Sequence, residues 1–184
     1  MLNPWELPKT AVIGGKTYEL HTDFRDILQI FSWLERQELP EFMRWQVAVG
    51  LFYEGSIPEQ ALPEAIRYLL DFIRWGQEPG TPGPKLMDWQ LDADQIIADV
   101  NKAAGTELRA MPYVHWWTFL GWFRAIGAGQ LSTMVSVRQA LRQGKKLESW
   151  QKEYLKENRS RVLMQKPLTD AQRREKARLE ALLK

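Results

Sequence analysis

The sequence contains no cysteine and only two histidines, His21 and His115. Without a thiol there is no disulfide framework, no thiolate nucleophile and no cysteine metal site. Two histidines alone cannot supply a His/Cys metal cluster. Chain length compensates for the missing staples. At 184 residues, one domain or one domain with a short appendage buries about 70% of the surface its unfolded chain exposes, enough to hold a core unaided. Nucleophile and phosphate motifs are also missing. There is no G-x-S-x-G, and Gly14-Gly15 belongs to no G-x-x-x-x-G-K-[ST] loop. Long hydrophobic runs are absent. The most apolar stretch, residues 113–126, contains Arg124 and falls short of the roughly 20 residues of a membrane span. Met1-Leu2-Asn3-Pro4-Trp5-Glu6 has neither the basic nor the apolar region of a signal peptide. A soluble, cytoplasmic protein is expected. No repeat recurs at a fixed period.

What is present is helical periodicity and an uneven charge. Residues 1–135 hold eleven Lys/Arg against seventeen Asp/Glu, a net of −6, whereas residues 136–184 hold fourteen against six, a net of +8. The two parts attract each other, or attract those of neighbouring copies.

Ala11-Val12-Ile13 and Lys16-Thr17-Tyr18-Glu19-Leu20 flank Gly14-Gly15 and predict a β-hairpin, since two glycines accept the positive φ of a two-residue turn. A hairpin alone is marginal, so it must pack on the helices or pair elsewhere. Thr22 or Asp23 caps a first helix reaching Leu34, with Phe24, Ile27, Leu28, Phe31 and Leu34 on one face. After Pro40, Phe42, Trp45, Val49 and Phe52 form the apolar stripe of a second. Ser56-Ile57-Pro58-Glu59 has capping-box spacing ahead of a third, which starts near Pro63 and carries Ile66, Leu69, Leu70 and Ile73. Residues 76–84, with three Gly and three Pro, form a loop. Asp92-Ala93-Asp94 opens a fourth helix that ends at Gly105. Pro112 opens a fifth, dense in aromatics, ended by Gly127-Ala128-Gly129. A sixth covers 131–142 and a seventh 147–158, and Pro167 then breaks the chain. Thr169-Asp170-Ala171-Gln172 is a second capping-box match and opens a last helix, charged on most faces, with Leu179, Leu182 and Leu183 as its apolar residues.

The expected fold is therefore mainly α, a multi-helix bundle with a small N-terminal β-hairpin and a charged C-terminal helix. The helical domain is placed at 1–145, with the hairpin at 11–20 and the loop at 76–84, and a basic helical extension at 146–184.

No enzyme, cofactor or metal site emerges. The densest carboxylates are Asp88, Asp92, Asp94 and Asp99, and Asp92 and Asp99 can share a helix face. The spacing lacks the glycine and terminal glutamate of a calcium loop, so Asp92 is read as a helix cap and Asp94 as a complement to the helix dipole. His115 is read as a structural hydrogen-bonder. Trp116, Leu120 and Phe123 are assigned to the core. For Trp117 and Trp122, core and protein-interface readings both stand, because Trp dominates interface hot spots. The basic end offers Arg173, Arg174, Lys176 and Arg178 as interface residues. Its positives alternate with glutamates at helical spacing, and no nucleic-acid motif is present. A solvated or partner-facing helix is preferred to a nucleic-acid-binding one.

Several stretches carry a resemblance: Tyr18-Glu19-Leu20-x-Thr22-Asp23-Phe24-Arg25, Asp92-Ala93-Asp94-x-Ile96-Ile97, Gly105-Thr106-Glu107-Leu108, His115-Trp116-Trp117-x-Phe119 and Val137-Arg138. In this order and spacing, over roughly residues 15–142, the chain resembles a family of small proteins from the tail-morphogenesis modules of siphophages and prophages. The resemblance implies a gene between those of the major tail protein and the tape-measure protein, as for tail assembly chaperones. It implies a non-enzymatic role in the host bacterial cytoplasm, keeping the tape-measure protein soluble while tail-tube subunits polymerise, with the major tail protein a further partner. No catalytic residues are implied. The 76–84 loop and the chain beyond Arg142 depart from the family pattern. The charge split favours head-to-tail contacts and an open or ring-like homo-oligomer. The competing readings are a structural tail or tail-completion protein kept in the virion, and a nucleic-acid-binding helical protein.

Overall fold

A computed structural model describes residues 2–3, 5–77 and 83–165. The fold is mainly α, as the periodicities predict, with one two-stranded sheet among the described residues. The middle of the predicted 76–84 loop and the predicted last helix, with Arg173, Arg174, Lys176 and Arg178, lie outside the described residues.

β1 (Thr10–Ile13) and β2 (Lys16–Glu19) pair antiparallel, with Ala11 opposite Tyr18 and Ile13 opposite Lys16. Gly14 and Gly15 take φ of 57° and 78°, the left-handed pair a two-residue turn requires. Ala11, Ile13 and Tyr18 point inward and are buried, whereas Val12 between them is 61% exposed. The hairpin does pair elsewhere. His21 N–H donates to the Phe52 carbonyl (2.8 Å) and Glu54 N–H to that of Glu19 (2.9 Å). The Tyr68 hydroxyl reaches the Thr10 carbonyl (3.2 Å).

The helices are α1 (Phe24–Leu34), α2 (Glu41–Phe52), α3 (Leu62–Ile73), α4 (Ala93–Ala104), α5 (Trp116–Arg124), α6 (Gln130–Arg142), α7 (Ser149–Glu157) and the single turn α8 (Arg159–Val162). The Asp23 carboxylate caps α1 by accepting from Arg25 N–H (2.9 Å). Three predicted features differ. The Ser56–Glu59 capping box does not form: Pro58 precedes a 3₁₀ turn, Glu59–Ala61, with no side-chain cap. α3 itself begins at Leu62, beside Pro63 as expected, and Pro63 fits the first turn without an amide to satisfy. Residues 113–115 are extended instead of opening α5, because they pair with the segment before α1. Phe24 N–H donates to the Val114 carbonyl (2.9 Å) and Trp116 N–H to that of Thr22 (2.7 Å). Phe42 is 63% exposed, so the inward face of α2 is Ala48, Val49 and Phe52.

Two compact units divide the described residues. The first takes those of 1–83 and 97–126, the second those of 84–96 and 127–184. The boundary expected at 145 falls inside the second. In the first, α1 packs on α2, and α5 lays its aromatics against α1 and α3. Phe24 stacks on Phe119 with ring centres 4.8 Å apart, and Phe72 lies 4.9 Å from Phe52 and 5.7 Å from Trp117. In the second, α6 and α7 both pack against α8, burying Leu131, Met134, Val137 and Val162.

Candidate functional site

Within the stretches that carry the family resemblance, Asp92, His115, Trp116, Trp117, Phe119 and Val137 are buried, and the polar side chains there largely serve backbone groups. Asp23 is shared three ways: Oδ1 accepts from Arg25 N–H, Oδ2 accepts from Val114 N–H (2.8 Å), and both face the Arg25 guanidinium. Arg25 continues to the carbonyls of Leu108 (3.2 Å) and Met111 (2.8 Å), fixing the segment before α5. Asn101 and Glu107 close the same region. The Asn101 side chain accepts from Leu108 N–H and donates to Glu107. The Arg109 guanidinium and amide hold the Glu107 carboxyl down at about 2.

His115 caps α5. Its Nδ1 accepts from Trp117 N–H (3.1 Å), which leaves the hydrogen on Nε2, directed at the Pro8 carbonyl (3.1 Å). Burial pushes the imidazole below its usual value; the Pro8 hydrogen bond opposes this and the nearby Lys9 charge reinforces it. The two tryptophans that follow finish α3. The Trp116 indole donates to the Ile73 carbonyl (2.9 Å), which the helix end leaves open, and the Trp117 indole to that of Phe72 (2.8 Å), which it shares with the Trp75 amide. Trp117 is buried to 2% and belongs to the core, which removes it as an interface residue. Trp116 and Leu120 are buried as expected, while Phe123 and Trp122 are half-buried.

Trp75, just past α3, was not singled out by the sequence. It takes φ of 59°, a conformation glycine normally supplies. Its own N–H bonds to Phe72 O and that of Gly76 to Asp71 O (2.8 Å), the double closure of a helix C-terminus. Its ring packs 6.0 Å from that of Trp117, and the Arg124 guanidinium lies 4.9 Å above it. No local signal marks this residue; the partners of its ring, Trp117 and Arg124 of α5, lie far along the chain.

In the second unit the buried Asp92 and Arg138 form a bidentate pair, at 2.6 and 2.8 Å. The sequence reading of Asp92 as a simple cap is corrected: its carboxylate serves Arg138 and the amide of Asp88 (2.9 Å). Arg138 also donates to the carbonyls of Leu86, Val162 and Arg161, so it closes the end of α8 as the tryptophans close α3. The residue beyond α8, Met164, likewise has positive φ, 51°. Asp88 accepts from the amides of Gln90 and Leu91 and from Lys85. Burial acts to raise its carboxyl, but these donors outweigh it and hold it below the usual range. Asp94 is exposed and faces Arg161 at 3.4 Å. Asp92 is thus committed to Arg138 and the Asp88 amide, and no cluster of three or more potential metal ligands occurs among the described residues.

Exposed and apolar among the described residues are Trp5 and Leu7 near the chain start, Val12 on β1, Phe42 and Met43 on α2, Tyr113 before α5, Trp150 on α7 and Leu163 beyond α8. Beside α2 runs a cleft of about 350 Å³ lined by Gln46, Gly50, Gly55, Ile57, Glu59 and Leu62. No helix among the described residues is long and apolar enough to cross a membrane. A family model described as "Bacteriophage Gp15 protein" matches residues 5–163. No match is found among curated proteins or among solved structures.

Proposed function

The chain belongs to the Bacteriophage Gp15 protein family, and from that membership we propose that it is a tail assembly chaperone-like protein that binds the tape-measure protein during tail morphogenesis. Family membership over residues 5–163 carries this reading, since it suggests a phage structural or morphogenesis protein. The disposition of side chains is compatible with a binding role. The Asp92–Arg138 pair, His115 and the Asp23 web are used up in closing helices and loops. Apolar surface is left outward on α2 instead. A protein that holds a long amphipathic helix in solution needs such surface. On this reading the protein is not an enzyme, acts in the host cytoplasm, associates with itself, and has the major tail protein as a further partner.

Co-expression tests it. The tape-measure protein of the same phage, expressed with the full chain, is expected in the soluble fraction and to co-purify with it. A tape-measure protein equally insoluble with and without this chain would overturn the chaperone role. Mass spectrometry of purified particles separates the virion alternative, because a chaperone is absent from finished tails and a structural or completion protein is present.

A further inference from the structure

Gly50 lies inside α2, where glycine destabilises a helix relative to alanine. Neither of the usual reasons for a glycine applies. Its φ is not in the positive range, and a Cβ built there meets nothing within 4 Å. The open space is the floor of the cleft beside α2. Phe42, Gln46 and Gly50 recur every fourth residue, so they share one helix face, and Phe42 and Met43 at its start are 63% and 42% exposed. Ile57 and Leu62 form the opposite wall, with Glu59 beside them. The surrounding chain is acidic: residues 35–64 hold six glutamates against two arginines. A cleft in which Gln46, Ser56 and Glu59 line the surface beside Ile57 and Leu62, set in an acidic stretch, with a glycine that lets another backbone approach closely, fits a basic segment with one apolar edge.

The chain itself contains such a segment. Residues 168–184 hold five Lys/Arg against three Asp/Glu, and Leu179, Leu182 and Leu183 fall at the i, i+3, i+4 spacing of one helix face. We propose that the α2 cleft is the docking site for the C-terminal segment, residues 168–184, of a second copy of this chain. Arg173, Arg174, Lys176 and Arg178 face the acidic stretch, and the leucines lie over Gly50. The proposal rests on the reading that the protein self-associates, and it adds the surface on which it does so.

The absence of cysteine makes the test clean, because introduced thiols are the only ones. Full-length Gly50→Cys is mixed with full-length Leu179→Cys and oxidised, beside a control in which Val12→Cys replaces Gly50→Cys. Mixed 50–179 disulfides in excess of 12–179 disulfides are expected. Equal yields would overturn the proposal. Sedimentation of full-length Gly50→Gln and Gly50→Trp, which fill the cleft, provides the second measurement. The concentration for half-assembly is expected to rise about tenfold or more, the loss of roughly 1.4 kcal/mol of association free energy, with the melting temperature maintained. Unchanged oligomers in both variants would remove the cleft as the docking site and leave self-association standing. A wild-type protein that is monomeric at every concentration would remove self-association itself.

Discussion

Arg138 and Asp92 sit 3% and 0% exposed at the side chain, so their attraction is hardly screened but neither ion can fall back on water. Removing one partner leaves the other charge buried and uncompensated, which typically destabilises by about 3–5 kcal/mol. Asp92→Asn is expected to lose that much in chemical denaturation. The double change Asp92→Leu with Arg138→Met is expected to lose less than the two single changes summed, because it leaves no stranded charge. It does not restore full stability, since Arg138 also serves the carbonyls of Leu86, Arg161 and Val162. Purely additive losses would mean the pair is relaxed by water. His115 gives a pH dependence at the same scale. Its folded pKa is depressed by burial, so as pH falls below its ordinary value of about 6.5 the unfolded chain takes up a proton first and is favoured. Its contribution is fully present above pH 6.5 and declines below it. Between pH 7.5 and 5.5 the wild type is expected to lose more stability than His115→Asn, which keeps an N-capping oxygen and does not titrate. Parallel losses in the two proteins would show that His115 is not the group responsible.

Elements whose information is local were legible in the sequence, and those fixed from a distance were not. The hairpin is written in two glycines between β-prone runs, and α1 in Asp23 and its apolar period. By contrast, Pro112 looks like a helix start, but Tyr113-Val114-His115 is held extended by hydrogen bonds to residues 22–24, about ninety positions earlier. The Ser56–Glu59 spacing is a fair cap pattern overruled by where Pro58 and Pro63 set the backbone. Asp92 reads locally as a cap because Arg138, its partner, is forty-six residues away. Trp75 and Arg25 act through contacts of the same long range. For α2, apolar residues lie on more than one face, so periodicity alone could not choose between Phe42 and Ala48 for the inside. The two sides of this helix differ sharply in consequence. Phe52 is fully buried, and Phe52→Ala is expected to lose about 3–5 kcal/mol, whereas Phe42→Ala, at an exposed site, should stay within about 0.5 kcal/mol. Thermal denaturation of the two variants measures the contrast, and a large loss at Phe42 would mean that this face is covered within the chain itself.

For the whole molecule the decisive property is the charge split. It is not confined to the chain end: the described part of the second unit, residues 84–96 and 127–165, holds nine Lys/Arg against six Asp/Glu and is itself basic. Individual exposed pairs such as Arg161–Asp94 contribute about 0–1 kcal/mol and are screened beyond roughly 8–10 Å at physiological salt. An assembly resting on this asymmetry must therefore draw on many contacts at once and weaken steeply with ionic strength. The segment 168–184 carries little apolar surface, and a helix of about 15 residues is marginal in water when nothing packs on it, so its removal takes little from the stability of the rest. Deleting residues 168–184 is expected to leave the melting temperature nearly unchanged while shrinking the oligomer at low salt. At high salt the full-length and truncated proteins should converge, because screening removes what the deletion removes. Sedimentation velocity of both proteins at 50 mM and 500 mM salt distinguishes the cases: oligomers of equal size at low salt would make the basic end a solvated appendage, and a full-length oligomer indifferent to salt would place its contacts on apolar surface alone.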